Sequence, residues 1–178
     1  MTEPKDQQDC DSCFQRASEP HPIFDLCKEK RFDEALELCR RQIDENPDCV
    51  IGYGNMASVF ELMKKRDEAV PYRNKVIELD PLSTMSYYAR ADLFYEMGDY
   101  RAAIADFTRS AELDHQQVLG PANYLYRADC YRRLGEYDNA IADCALVPDD
   151  FDFPGFLGQW EGTKHHLLAE IARERGQT

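Results

Sequence analysis

Residues 87–114 read YYARADLFYEMGDYRAAIADFTRSAELD, and this stretch decides the fold. Its apolar residues form two runs at helical spacing, Tyr87, Ala91 and Phe94 and then Ala103, Ile104 and Phe107, with Gly98-Asp99 between them. The pattern predicts a helix, a tight turn and a second, antiparallel helix. Sliding the chain by 34 places lays Tyr53 on Tyr87, Ala57 on Ala91, Phe60 on Phe94, Ala69 on Ala103 and Glu78-Leu79-Asp80 on Glu112-Leu113-Asp114. The same shift runs backwards, where Asp33-Glu34-Ala35 matches Asp67-Glu68-Ala69 and Pro47 matches Pro81. A shift of 37 adds a fourth copy, with Arg90-Ala91-Asp92 on Arg127-Ala128-Asp129 and Ala103-Ile104-Ala105-Asp106 on Ala140-Ile141-Ala142-Asp143. The three extra residues fall near Gln117 to Gly120.

Small residues recur where two helices must approach closely: Ala57, Ala91 and Ala128 on first helices, Ala35, Ala69, Ala103 and Ala140 on second ones. Phe60, Phe94, Tyr131 and Phe107 fill the space beside those contacts. Pro47 and Pro81 close the second helix of their copies, because proline has no amide hydrogen and clashes with the preceding turn.

A 34-residue period of paired helices with small-residue columns, an aromatic in the first helix and a closing proline resembles the tetratricopeptide repeat family. The resemblance implies an all-α protein, an α-α superhelix of about four helix-turn-helix repeats with a capping helix at the C-terminal end. The expected organisation is an acidic, disordered tail over 1–18, repeats over 19–148 (about 19–49, 50–83, 84–117 and 121–148), and a loop and capping helix over 149–178. Pro20 and Pro22 shorten the first helix, which should start near Ile23; His115 stands in place of a closing proline; Cys39, Arg73 and Cys144 stand where Phe107 keeps a large aromatic. In the last segment Phe156, Trp160, Leu167 and Ile171 share one helical stripe, although Gly155, Gly158 and Gly162 delay the helix to as late as Thr163.

In such a stack the first helices line the concave side. That predicts a partner-binding groove containing Asn55, Ser58, Tyr88, Asp92, Tyr95, Tyr126, Asp129, Arg132 and Arg133. Aromatic and arginine side chains are frequent interface anchors, while carboxylates select the charge of the partner. The expected guest is a peptide or amphipathic helix carrying apolar and basic groups. Tyr88→Ala or Arg132→Ala should then weaken binding and leave stability nearly unchanged. Carboxylate-clamp domains of the same family grip acidic chaperone tails with lysines, arginine and asparagines. Here Asn55 alone matches that pattern, and Met85 and Ala89 are not basic, so binding of chaperone tails is not expected.

Composition narrows the function further. The 178 residues carry 21 Lys and Arg against 34 Asp and Glu, a formal charge of −13 that repels phosphate; neither nucleic acid nor an anionic membrane is an expected partner. With 43% apolar residues, 9 Gly and 9 Pro, the chain should be soluble and folded. No apolar stretch is long enough for a membrane span, MTEPKDQQDC at the start has no signal-peptide character, and 7 cysteines at irregular spacing suit reduced thiols, so a cytoplasmic location is expected.

No catalytic residue, metal or cofactor is expected. Asp92 and Asp129 on neighbouring first helices, about 8 to 10 Å apart by axis, could serve acid–base chemistry in a hydrolase, but selection of a basic partner or pairing with Arg90 and Arg127 is the simpler reading. Cys10-x-x-Cys13 with His21 and Cys27 could form a zinc site, yet no second Cys-x-x-Cys follows, and Cys27 and Cys39 fall on core faces. His165 and His166 point about 100° apart on a helix and cannot share a metal. The leading function is a non-enzymatic adaptor; the alternative is a protein dedicated to sequestering one basic partner, such as a secretion chaperone or toxin neutraliser.

Overall fold

The computed structural model describes residues 22–116, 119–151 and 164–176, and among these every regular element is an α-helix. They divide into two compact units, one ending at Pro81 and the other beginning at Leu82. The first unit holds α1 (Pro22–Lys28), α2 (Phe32–Glu45), α3 (Val50–Leu62) and α4 (Arg66–Leu79). The second holds α5 (Thr84–Met97), α6 (Tyr100–Leu113), α7 (Gly120–Arg133), α8 (Tyr137–Cys144) and α9 (Lys164–Arg175). Within each unit successive helices pack on one another, and α9 lies against α8 and α7. The tail at 1–18, Cys10, Cys13, His21, the insertion at Gln117, and Phe156, Trp160 and the three late glycines lie outside the described residues.

The backbone repeats with the period of the sequence. Lys30, Lys64, Gly98 and Gly135 have φ of 62°, 62°, 80° and 75°, a left-handed residue at the tip of every hairpin and spaced as the repeats are. At the same four places the next amide reaches back to the preceding helix: Arg31 to Leu26 O at 2.8 Å, Lys65 to Phe60 O at 2.9 Å, Asp99 to Phe94 O at 3.0 Å and Glu136 to Tyr131 O at 2.8 Å. These are 6→1 bonds that close a helix on a left-handed residue and satisfy carbonyls that the helix end would orphan. Glycine adopts that conformation without steric cost, whereas lysine does not.

All seven alanines of the small-residue columns are 0% exposed, so each sits in a close helix contact of its own unit. The short first helix runs Pro22–Lys28, one residue ahead of the expected start. Pro47 and Pro81 lie two residues past the ends of α2 and α4, as chain-terminating prolines should. Pro71 sits inside α4, which continues through it. In α9, Leu167 and Ile171 are buried with Leu125, Ala128, Ala140, Cys144 and Val147, so this helix covers the outer face of the last hairpin.

Candidate functional site

The second unit holds seven of the nine residues assigned to the groove. Ser83 caps α5 by accepting the Ser86 amide at 3.2 Å, and Asp99 caps α6 by accepting the Ala102 amide at 3.1 Å. These caps and the turn at Gly98 set where α5 begins and ends and where α6 begins. Packing of α5, α6 and α7 gathers Tyr88, Tyr95, Phe107 and Tyr126 into one aromatic group. Tyr126 lies at the centre, with ring centroids 6.1 Å from Tyr88 and 5.7 Å from Tyr95 in edge-on contact, and 5.6 Å from Phe107 in a stack. Such offsets let positive ring edges meet negative faces.

Tyr88 and Tyr126 are 1% and 3% exposed and belong to the core with Ala91, Ala103, Phe107, Leu119, Ala122 and Cys130. The expectation that they line an open surface is corrected here. Their rings complete the packing of α5, α6 and α7, so Tyr88→Ala opens a core cavity and cannot be neutral for stability.

Asp129 is also interior, at 0% exposure. Its Oδ2 accepts the Tyr95 hydroxyl at 2.5 Å and Arg133 Nε at 3.3 Å, and its Oδ1 accepts Arg132 Nε at 2.7 Å. Burial, and next the Asp129 carboxylate, push the Tyr95 hydroxyl well above its usual range, so it remains a donor. Arg132, 9% exposed, continues to Glu174 at 2.6 Å and Glu170 at 3.6 Å on α9. One buried carboxylate thus joins α5, α7 and α9. Arg132 is structural, and its truncation to alanine would leave Asp129 with Tyr95 and Arg133 alone and remove the bridges to Glu170 and Glu174 of α9. A carboxylate enclosed in this way is out of reach of a substrate, and the proposed acid–base pair with Asp92 loses a member.

Arg90 and Arg127, which the sequence reading paired with Asp92 and Asp129, are bound by carboxylates of the second helices. Arg90 makes a two-pronged bridge to Asp106 at 2.7 and 2.8 Å, and Arg127 one to Asp143 at 2.7 and 2.6 Å. Each bridge ties the first helix of a hairpin to its own second helix, and the matching geometry follows the 37-residue shift. The signal was present in the sequence as the stacked Arg-Ala-Asp and Ala-Ile-Ala-Asp segments.

What remains partly open on this unit is Asp92, Tyr95 and the neighbouring Glu96, all half-buried, and Arg133, whose side chain is 43% exposed. Arg133 also lies 6.0 Å from the Tyr100 ring. In the first unit, Asn55 Nδ2 donates to Gln42 Oε1 at 3.0 Å, and Ser58 Oγ accepts Arg73 Nη2 at 3.2 Å. Arg73 also clasps Glu61 at 2.8 Å through two nitrogens, which explains how an arginine fits where Phe107 stands in the later copy. Asn55 and Ser58 are half-buried and engaged within their own unit.

Cys27, Cys39, Cys49, Cys130 and Cys144 are buried and form no disulfide. Burial pushes the Cys39 thiol up to about 12 and the Cys144 thiol up to about 11, so neither is a reactive thiolate. Among the described residues no group of three or more His, Cys, Asp or Glu side chains could hold a metal ion, and no helix is long and apolar enough to cross a membrane.

Two tetratricopeptide repeat models match the chain, one over residues 52–81 and the other over 88–152, together more than half of it. The chain belongs to the tetratricopeptide repeat family and is a protein-interaction module of that type. It is 29% identical over 103 residues to the TPR repeat-containing thioredoxin TDX of Arabidopsis thaliana, a match covering 58% of this chain and 27% of that protein. With human serine/threonine-protein phosphatase 5 it shares 30% identity over 105 residues, covering 58% of this chain and 21% of the phosphatase. The chain thus spans about a quarter or less of the length of these curated relatives. Among solved structures the crystal structure of MamA matches with a TM-score of 0.70 at 18% identity, covering 86% of this chain and 84% of that one; this likeness bears on the fold alone.

Proposed function

We propose that the chain is a non-enzymatic, cytoplasmic adaptor that binds a peptide or helix of a basic protein through first-helix residues of its repeats. The observation that carries this reading is how the arginines of the second unit are used. Arg90, Arg127 and Arg132 are bound by Asp106, Asp143 and Asp129, each carboxylate buried. Each of those cations is neutralised by its own buried carboxylate, so the three pairs cancel and the formal charge of −13 carried by the rest of the chain favours a basic partner and speeds its approach. Half-buried Tyr95 offers apolar contact, while Asp92 and Glu96 supply the charge that selects the guest. Asn55 and Ser58 belong to the proposal as the corresponding first-helix residues of the first unit. The TPR-bearing relatives support an interaction role; chaperone tails and nucleic acid are not proposed as partners.

Affinity capture on the immobilised chain tests this. The expected result is recovery of proteins with basic segments that elute between low and about 0.5 M salt, because exposed charge pairs are screened over a few ångströms at that strength. One stoichiometric partner would favour the sequestering alternative over the adaptor. Capture that is indifferent to salt, or that selects acidic proteins, would remove the basic-partner reading.

A further inference from the structure

Asn123 stands apart among the buried polar side chains of the second unit. It lies in the first turn of α7 and is 1% exposed, yet neither its Nδ2 nor its Oδ1 finds a hydrogen-bond partner in the protein. Its backbone is satisfied, since the Asn123 amide donates to Leu119 O at 2.8 Å. The buried carboxylates nearby in sequence are engaged: Asp114 accepts the Leu119 amide at 2.6 Å, and Asp129 holds Arg132. A carboxamide that leaves water and receives nothing in return is unfavourable, and buried polar groups that a chain does not satisfy itself are commonly met by internal water.

The repeats show why there is room for it. Asn123 is the counterpart of Ser86 by the 37-place shift and of Gly52 by a further 34. At Gly52 a Cβ atom would lie 3.0 Å from Ile43 Cγ1 and 3.5 Å from Gln42 Cβ on α2, so that contact is closed without any side chain. Two shifts of 34 carry Gln42 and Ile43 to Ser110 and Ala111 of α6, the helix on which α7 packs. Exchanging Ile43 for Ala111 and Gln42 for Ser110 removes more atoms than exchanging Gly52 for Asn123 adds. The closed contact of the first unit therefore has space in the second. Ser110 is 0% exposed and its Oγ donates to Thr84 O at 3.0 Å, which uses its one proton and leaves its lone pairs to accept.

We infer that Asn123 and Ser110 enclose a hydration site between α6 and α7, in which a buried water accepts from Asn123 Nδ2 and donates to Ser110 Oγ. The ligand is a neutral molecule that both donates and accepts, because the Nδ2 protons of Asn123 repel a cation and the lone pairs of Ser110 repel an anion. The site joins the last two hairpins where the sequence period lengthens from 34 to 37. It is independent of the adaptor reading.

Nuclear magnetic resonance on the full chain tests it. The side-chain amide protons of wild-type Asn123 should show a rotating-frame Overhauser contact to a water that stays bound for longer than a nanosecond, a measurement that needs no variant to fold. Asn123→Leu, close to asparagine in size, should lower the amplitude of water relaxation dispersion by one long-lived water or more. Ser110→Ala should shorten the residence of the water at Asn123 by roughly tenfold, since one of its few hydrogen bonds is gone. The denaturant midpoint of Asn123→Leu should not rise, because the wild-type amide is already satisfied; circular dichroism checks that both variants are folded. No water contact at the wild-type amide, or dispersion unchanged in Asn123→Leu, overturns the inference. A raised midpoint in Asn123→Leu would show that a dry, unsatisfied amide had been removed, and an unchanged residence in Ser110→Ala would break the pairing with Ser110; either result also sinks it.

Discussion

The two units are built from the same hairpin, yet they hold it together differently. In the first unit the hairpin tips are Lys30 and Lys64 in the left-handed region, α2, α3 and α4 have no side-chain cap, and Pro71 removes one amide donor inside α4. In the second unit glycines take the tips, Ser83 and Asp99 cap α5 and α6, and bidentate Arg–Asp bridges join the helices of both hairpins, where the first unit has one such clasp, Arg73 on Glu61 between α4 and α3. An aromatic cluster and the α9 cap complete it. A repeat period therefore specifies where the backbone goes, and the residue chosen at each recurring position sets how firmly it stays there. Helix ends and turns account for differences of about 1 kcal/mol each, and several accumulate in the first unit.

The largest break in this contrast should come from Asp129→Ala. It leaves Arg132 and Arg133 facing a hole and removes the acceptor of Tyr95, and loss of one member of a buried ion pair costs about 3 to 5 kcal/mol. Denaturant titration should show the second unit losing its advantage; an unchanged midpoint would mean that the network is not supporting the fold. Pro71→Ala acts in the other direction. It restores one helical amide in α4 and should stabilise the first unit by about 1 to 3 kcal/mol, read as slower amide hydrogen exchange confined to residues of that unit. The smallest effect is Lys64→Gly, which relieves a left-handed lysine at the expense of backbone entropy and should raise stability by about 1 kcal/mol or less. A loss of stability in Lys64→Gly would show that the lysine side chain contributes more than its backbone costs.

The fold was readable because it depends on periodic features. The alanine columns, the hairpin breaks and the closing prolines recur at fixed spacing, and each of the seven column alanines is fully buried in the structure. The left-handed tips at Lys30 and Lys64 escaped notice because lysine is not a residue that advertises such a turn, although the shift of 34 places puts them under Gly98. The candidate site was less legible. Column reading placed Tyr88, Tyr126, Asp129 and Arg132 on an open face, since a column records which side of a helix a residue takes and says nothing of what later folds over it.

That division has a physical basis. Local sequence determined the helices, their turns and their pairing, because spacing of apolar residues, small-residue contacts and helix-breaking prolines act within a few tens of residues. Only the tertiary structure decided which polar side chains remain available. Arg132 meets Glu174 across 42 positions of sequence, and Tyr95 meets Asp129 across 34. Phe151 reaches the Tyr88 cluster only after the chain has reversed at Pro148. Burial of a charge or a ring is set by everything that packs around it, so the same residue type at the same repeat position is half-buried in one copy, as Asp92 is, and part of the interior in another, as Asp129 is.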